Sequence, residues 1–381
     1  MSDATSLSPI LFSVPFRAPK APQNLADVIA SDHVHGDGPF TRSASQKLKD
    51  LTGASSVLLT TSGTSALEMA TRLLGIGHGD EVIVPSFTFS SGATAIVAAG
   101  ATPVFVDIEG DSGNVDPAAI ETAITSATKA ISVMHYGGVP VDMNAVMALS
   151  KRTGIPVIED NSHGLAVQSR FGKLGTIGAL GVQSFHDTKN VHCGEGGAIL
   201  LNVPSLVEAA EIMREKGTNR SKFLRGQVDK YTWVDWGSSF LPSELNAALL
   251  DAQLDEFAHI QERRMAVWNA YSTQLRDWAT AHGATLMDPV DGEHAAHLFF
   301  VLMPDQERRD AFLAYLRAAG VIGTFHYIPL HSSPAGQKFG RPVGSFAKTD
   351  SFAGRLARLP LWPGMTDEHI GIVVDTVTSF K

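Results

Sequence analysis

Between about Leu51 and Asn202 the chain alternates short apolar runs with longer amphipathic ones, and this alternation restricts the fold more than any other feature. Val82-Ile83-Val84, Val104-Phe105-Val106, Ile131-Ser132-Val133-Met134, Val157-Ile158 and Ala198-Ile199-Leu200-Leu201 read as strands. Ala118 to Ile124, Ala145 to Thr153 and Leu206 to Glu215 read as helices. Such alternation implies a mostly parallel sheet wrapped by helices. From Ser243 to Leu275 breakers are few, which predicts helices ending in one long one that leads to a second domain. Beyond it His297 to Leu302 reads as a strand, Asp305 to Ala319 as a helix and Ile322 to Ile328 as another strand, with loops at Pro334 to Ser345 expected to cover a site. The expected division is a large domain over residues 1–250, including the N-terminal segment, and a smaller α+β domain over 251–381.

Lys189 lies in Ser184-Phe185-His186-Asp187-Thr188-Lys189-Asn190, just before the turn Gly194-Glu195-Gly196-Gly197 and downstream of the acidic strand end Val157-Ile158-Glu159-Asp160. A desolvated, deprotonated lysine amine is a nucleophile suited to holding an aldehyde cofactor as an imine, and pyridoxal phosphate is the natural candidate. That cofactor needs a phosphate cradle, a carboxylate for its pyridinium nitrogen, a flat partner for the ring and the lysine itself. The small-residue turn Thr61-Ser62-Gly63-Thr64-Ser65 feeds a helical run from Leu67 to Leu74, so backbone amides at a helix N-terminus would face the anion, with Ser184 adding a hydroxyl. Asp160 ends a buried strand, where open α/β sheets place ligand sites. Phe89, in Pro85-Ser86-Phe87-Thr88-Phe89, is the candidate for stacking on the ring. Glu159 is read as a solvated acid, because neighbouring side chains on a strand point to opposite faces.

These residues carry a family resemblance. SGTSAL (Ser62 to Leu67), VPSFTF (Val84 to Phe89), PVFVDI (Pro103 to Ile108), VIEDNSHG (Val157 to Gly164), SFHDTKN (Ser184 to Asn190) and GEGGAI (Gly194 to Ile199) occur in the order seen in the DegT/DnrJ/EryC1/StrS sugar aminotransferases, and the chain resembles that family over most of its length. The resemblance implies a type I pyridoxal-phosphate fold, with a mostly parallel seven-stranded sheet in the large domain and a smaller α+β C-terminal domain. It implies that Lys189 forms the imine and shuttles the proton, that Asp160 pairs with the pyridine nitrogen, and that His163 faces the ring's phenolic oxygen. Gly63, Thr64, Ser65 and Ser184 would hold the phosphate. Where many relatives carry an Asn that reaches the neighbouring subunit's phosphate, this chain has Ser239 within Gly237-Ser238-Ser239-Phe240.

The stretch from Arg214 to Leu245 resembles the subgroup that aminates a dTDP-linked 4-keto-6-deoxyhexose to a dTDP-4-amino-4,6-dideoxyhexose. The resemblance then implies L-glutamate as donor, a homodimer with shared sites and a role in deoxyaminosugar and cell-surface polysaccharide synthesis. Amination of a 3-keto nucleotide sugar, a pyridoxal-phosphate sugar dehydratase and a non-enzymatic regulator are the alternatives. Arg220 and Lys222, within a basic stretch from Arg214 to Lys230, would neutralise the nucleotide diphosphate or form a solvated face. His326, Tyr327 and His331, in His-Tyr-Ile-Pro-Leu-His, resemble the second-domain loop that faces the substrate.

The formal charge of −9 and the absence of a dense Lys/Arg block argue against a nucleic-acid partner. One cysteine, Cys193, precludes an intramolecular disulfide and cannot complete a usual structural zinc set with the dispersed histidines, so no metal is expected. No run of about 18 apolar residues occurs, and Met1-Ser2-Asp3-Ala4-Thr5 is no basic leader. A soluble, cytoplasmic protein is expected.

Overall fold

The computed structural model describes residues 9–289 and 293–381, so the reading of Met1 to Thr5 lies outside the described residues. Its strands are β1 (Ser56–Thr60), β2 (Glu81–Pro85), β3 (Thr102–Val106), β4 (Thr128–Met134), β5 (Val157–Asp160), β6 (Leu180–Ser184), β7 (Gly197–Leu201), β8 (Thr285–Leu286), β9 (Phe299–Leu302), β10 (Arg341–Pro342) and β11 (Leu356–Leu359), besides a two-residue hairpin at Gln168–Ser169 and Gly172–Lys173. The main sheet runs β1-β7-β6-β5-β4-β2-β3-β10 and has eight strands rather than the expected seven. Every neighbouring pair in it is parallel except those that β7 makes with β1 and β6. Helices cover both faces, and β5 and β7 are buried along their whole length, which is why the Val/Ile/Leu runs are continuous and do not alternate with polar residues.

The eighth strand corrects two expectations. Pro334 to Ser345 contains the helix Pro334–Phe339 and then β10, which pairs with Val104 and Phe105 at the sheet edge, so this stretch extends the sheet and lines no part of the site cavity. It also returns part of the expected small domain to the large one. Ile322 to Ile328 is not a strand: it forms one antiparallel rung, Thr324 with Arg358, while the side chains of Phe325, His326 and Tyr327 join the cavity wall. The missing partner is β11, which pairs antiparallel with β9 in the three-stranded sheet β8-β9-β11.

The helix Glu244–Asp255 is followed by an 18-residue helix, Phe257–Gln274, that carries the chain into the small domain. A single apolar core joins Phe87, Ile108 and Tyr136 of the large domain to Phe299, Phe300 and Phe352 of the small one. The N-terminal arm also crosses this junction, with Ile10 exchanging backbone hydrogen bonds with Gly320 and Ile322, and Phe12 accepting from Leu361. The domains are thus packed on one another above the carboxyl ends of the sheet strands.

Candidate active site

Three connections bring the site together. β1, β5 and β6 run in the same direction, so Thr60, Asp160 and Ser184 end at one edge of the sheet. β7 runs back antiparallel beside β6, so the chain from Phe185 to Gly196 stays at that edge instead of crossing a face. Backbone bonds from Phe185 to Gly196, from Asp187 to Gly194 and from Cys193 to Phe185 fold this connection onto itself, and Lys189 N donates to His186 O at 2.9 Å within it. A cavity of about 680 Å³ opens here. Its lining includes Lys189, Asp160, Gly63, Thr64, Ser184, Phe89, His163 and Tyr327, so most of the residues singled out from the sequence meet in one place.

Lys189 makes no ion pair among the described residues, and its amine pKa is pushed down to about 8, first by burial, with Arg358 adding to the fall and Asp160 opposing it. Asp160 is 7% exposed and accepts from Ser162 N at 3.1 Å, leaving its other oxygen for the cavity. On the facing wall Ser62 adopts an extended conformation and caps the helix Gly63–Leu73, accepting from Ser65 N at 3.0 Å. A Cβ on Gly63 would stand 2.9 Å from Ser184 Cβ, so only glycine lets the helix start approach the Ser184 hydroxyl and leave its amides open to an anion. Thr64 bonds Ser91 at 2.7 Å and both line the cavity. Ser65 faces away, its hydroxyl 2.8 Å from Thr61 Oγ1 and 3.0 Å from Ser62 Oγ, and it braces the turn.

The ring wall is aromatic and neutral. Gly137 N–H points at His163 Nδ1 at 3.2 Å, which fixes the ring proton on Nε2, facing Tyr327 Oη at 3.4 Å. His163 stacks on His297 with centroids 4.0 Å apart. Asn190 Oδ1 lies 2.9 Å from His297 Nδ1, and Asn190 Nδ2 donates to Ala295 O, so the residue after the lysine ties its loop to the small domain. Burial holds His163, His297 and His326 well below the ordinary histidine pKa, reinforced by neighbouring cations. Phe89 is 56% exposed on the wall, 6.1 Å from the Tyr327 ring.

Other expected residues sit elsewhere. His331 is held by Ser86 at 2.7 Å and stacks on Phe346, so in this chain it latches the loop and does not line the cavity. Arg220 pairs with Asp37 and Glu215, and Lys222 with Glu208. Arg220 and Ser239 line a second cavity of about 650 Å³. Glu159 is fully buried, not solvated: its carboxylate accepts from Gly175 N, Ile177 N and Gly178 N and faces His135 Nε2 at 2.9 Å. Arg264, His297 and Arg358 line the cavity and were not singled out from the sequence as substrate contacts, and His326 of the second-domain loop lines it beside Tyr327. Among the described residues no His, Cys, Asp or Glu cluster could hold a metal, and no helix is long and apolar enough to cross a membrane.

A low-pKa lysine, a buried carboxylate, a glycine-opened helix N-terminus and a donor histidine around one cavity fit pyridoxal phosphate, and with this sheet they define a type I pyridoxal-phosphate aminotransferase. The chain belongs to the DegT/DnrJ/EryC1/StrS aminotransferase family, whose profile matches residues 18–378, and members of this family depend on pyridoxal phosphate. It is 32% identical to the spore coat polysaccharide biosynthesis protein SpsC of Bacillus subtilis (strain 168), over 96% of this chain and 95% of that one. It superposes on the aminotransferase TlmJ from Streptoalloteichus hindustanus with a TM-score of 0.88 at 28% identity, covering 98% of each chain. Spr1654 from Streptococcus pneumoniae, a proposed sugar aminotransferase in its PMP form, matches with a TM-score of 0.89 at 25% identity, covering 97% of this chain and 98% of that one.

Proposed function

We propose that the protein transfers an amino group from L-glutamate to a nucleotide-linked keto-sugar, with a dTDP-linked 4-keto-6-deoxyhexose as acceptor and a dTDP-4-amino-4,6-dideoxyhexose as product. The observation that carries the reading is the meeting of Lys189 and Asp160 in one cavity opposite the Gly63, Thr64 and Ser184 cradle. Similarity to SpsC, whose name refers to polysaccharide biosynthesis, supports a sugar acceptor. The likeness of Arg214 to Leu245 to the 4-keto-sugar subgroup supports the choice of carbon.

Bound in this cavity, pyridoxal phosphate supplies an aldehyde for imine exchange and a protonated ring that accepts an electron pair. Gly63, Thr64 and Ser184 would hold its phosphate, Asp160 its ring nitrogen, His163 Nε2–H its phenolic oxygen and Phe89 one ring face. The donor and acceptor use the cavity in turn. With a pKa of about 8, an appreciable fraction of Lys189 Nζ is unprotonated near neutral pH, so it can take a proton from the donor carbon and later deliver one to the sugar carbon.

We take the working form to be a cytoplasmic homodimer in which Ser239 serves the neighbouring subunit's site. The exposed Ile29, Trp233, Val234 and Trp236 support an apolar surface that a second copy would cover. Mass spectrometry of the products from L-glutamate and a panel of nucleotide keto-sugars tests the reading. Amination of a dTDP-4-keto-6-deoxyhexose is expected, and turnover of 3-keto-sugars alone would overturn the choice of carbon.

A further inference from the structure

We infer that Asn190 and His297 are positioning residues for the cofactor's phenolic oxygen: Asn190, next to Lys189, fixes the His297 ring, and His297 fixes the plane of His163, which would donate to that oxygen. The inference rests on the aminotransferase reading of the same cavity. Among the described residues the His163 ring has one close hydrogen bond, from Gly137 N–H to Nδ1 at 3.2 Å, and a long contact from Nε2 to Tyr327 Oη at 3.4 Å. A ring tied at one edge can swing about that bond, and a donor that swings loses the alignment on which a hydrogen bond depends. His297 lies flat against it, with centroids 4.0 Å and planes 23° apart, and blocks that motion.

The backbone that carries His297 is itself held in a disfavoured shape. Ala296, just before it, has φ +46°, in the left-handed region that residues with a Cβ rarely adopt. Such a residue persists only where its surroundings over-determine it. Here Ala296 N donates to His294 Nδ1 at 3.0 Å, Ala296 O accepts from Arg264 Nε at 3.0 Å, and His297 O accepts from Arg264 Nη2 at 2.5 Å. Ala295 O accepts from Gln261 Nε2 at 2.7 Å and from Asn190 Nδ2 at 2.8 Å. Gln261 and Arg264 stand three apart on the helix Phe257–Gln274, so one face of that helix grips the segment that brings His297 to the cavity wall.

Asn190 sets the proton of His297 as well as its place. Asn190 Nδ2 faces two acceptors, Ala295 O at 2.8 Å and Gln261 Oε1 at 3.2 Å, so Oδ1 is the atom 2.9 Å from His297 Nδ1, and an amide oxygen only accepts. His297 therefore carries its proton on Nδ1. Burial, aided by the charges of Lys189 and Arg264, keeps the ring neutral, so it offers His163 a flat face without adding a charge beside the cofactor. An apolar ring at 297 would stack but could not bond Asn190. Because Asn190 is 8% exposed and follows Lys189 directly, one set of contacts registers both the lysine and the donor histidine against the small domain.

The test is a spectrophotometric pH titration of the holoenzyme. Donation to the phenolic oxygen competes with the proton that this oxygen shares with the imine nitrogen, so a weakened donation lets the nitrogen keep its proton to higher pH. The midpoint of the change in the bound cofactor's visible band is expected to rise by about one pH unit in His297→Ala. His297→Phe, which keeps a flat face but not the bond to Asn190, should give a smaller rise, and Asn190→Ala should move the midpoint in the same direction. His297→Ala added to His163→Ala should produce no further rise, because a residue that acts through another has no effect once that other is gone. A merely structural role would lower the Tm and leave the midpoint in place. An unchanged midpoint in folded His297→Ala, or shifts that add in the double variant, would overturn the inference. If His297→Ala fails to fold, unchanged midpoints in both His297→Phe and Asn190→Ala would overturn it equally. A wild type that shows the band but aminates no nucleotide keto-sugar would sink the acceptor reading and leave this comparison standing.

Discussion

Glu159 and Asp160 are neighbours on β5, yet their carboxylates act on opposite sides of the sheet: Asp160 turns into the cavity that contains Lys189, and Glu159 is buried against His135 and the 175–178 turn. Val141 N–H points at His135 Nδ1 at 3.1 Å, so the ring proton is on Nε2 and is donated to Glu159. His135 N in turn donates to Asp160 O at 3.2 Å. One carboxylate thus ties the end of β4, the end of β5 and the turn that enters β6. The alternation of a strand separates the two acids, and burial of both faces gives each a task.

Removing the Glu159 carboxylate leaves the N–H groups of Gly175, Ile177 and Gly178 and the His135 Nε2–H without their acceptor. Glu159→Ala is therefore expected to destabilise the folded chain by about 3–5 kcal/mol. Urea denaturation of the wild type and the variant measures this, and a loss below about 1 kcal/mol would contradict the buried network.

Lys189→Ala should lower turnover by roughly 10³-fold or more, since the variant lacks both the covalent anchor and the base. Borohydride reduction followed by mass spectrometry should find the cofactor mass on the wild type and not on the variant. A second consequence concerns pH. The folded pKa of about 8 lies below the ordinary 10.5, so the apoprotein carries the cost of burying a charged amine below pH 8, and that cost fades as the pH rises from 8 to 10.5. The Tm of the apoprotein should rise across that window relative to Lys189→Met, after allowance for groups common to both.

The parts of the site legible in the sequence are those whose placement is local. A small-residue turn before a helix, an acid at the end of an apolar strand and a lysine in a connection between strands each owe their position to the sheet edge next to them, and Gly63, Asp160 and Lys189 line one cavity. His297 and Arg358 reach the cavity only because β9 and β11 pair and the small domain packs on Tyr136 and Phe87, which no short window encodes. Glu159 was misread for the same reason: its burial comes from the turn at 175–178, beyond its own strand. In Ile322 to Ile328 the apolar and aromatic residues resemble a strand, but Phe325, His326 and Tyr327 serve the cavity wall, and the pairing with β11 is a single rung, Thr324 with Arg358.

His163, His297 and His326 are held well below the ordinary histidine pKa by burial, so in the folded chain they stay neutral where the unfolded chain would protonate them. Each therefore contributes stability that is present above the unfolded value of about 6.5 and is lost as the pH falls below it, at up to about 1.4 kcal/mol per pH unit per histidine. The apoprotein should lose denaturant resistance steeply between pH 6.5 and 5, and His297→Gln should make that slope shallower by the contribution of one proton. Equal slopes for the wild type and the variant would show that His297 takes up its proton without unfolding.

Gly63→Ala separates cofactor binding from folding. The added Cβ would stand 2.9 Å from Ser184 Cβ, so either the helix start or the end of β6 must withdraw by a few tenths of an ångström. Gly63 is the first residue of the helix Gly63–Leu73 and has no left-handed backbone requirement, so alanine there is compatible with the helix itself. The strain falls instead on the gap between the helix amides and the Ser184 hydroxyl, which is where the phosphate would be gripped. Fluorescence titration of the apoprotein is expected to show pyridoxal phosphate affinity reduced on the order of tenfold to a hundredfold, a cost of about 1–3 kcal/mol, while the Tm of the apoprotein changes little. Unchanged affinity in a folded Gly63→Ala protein would mean that the phosphate is held elsewhere.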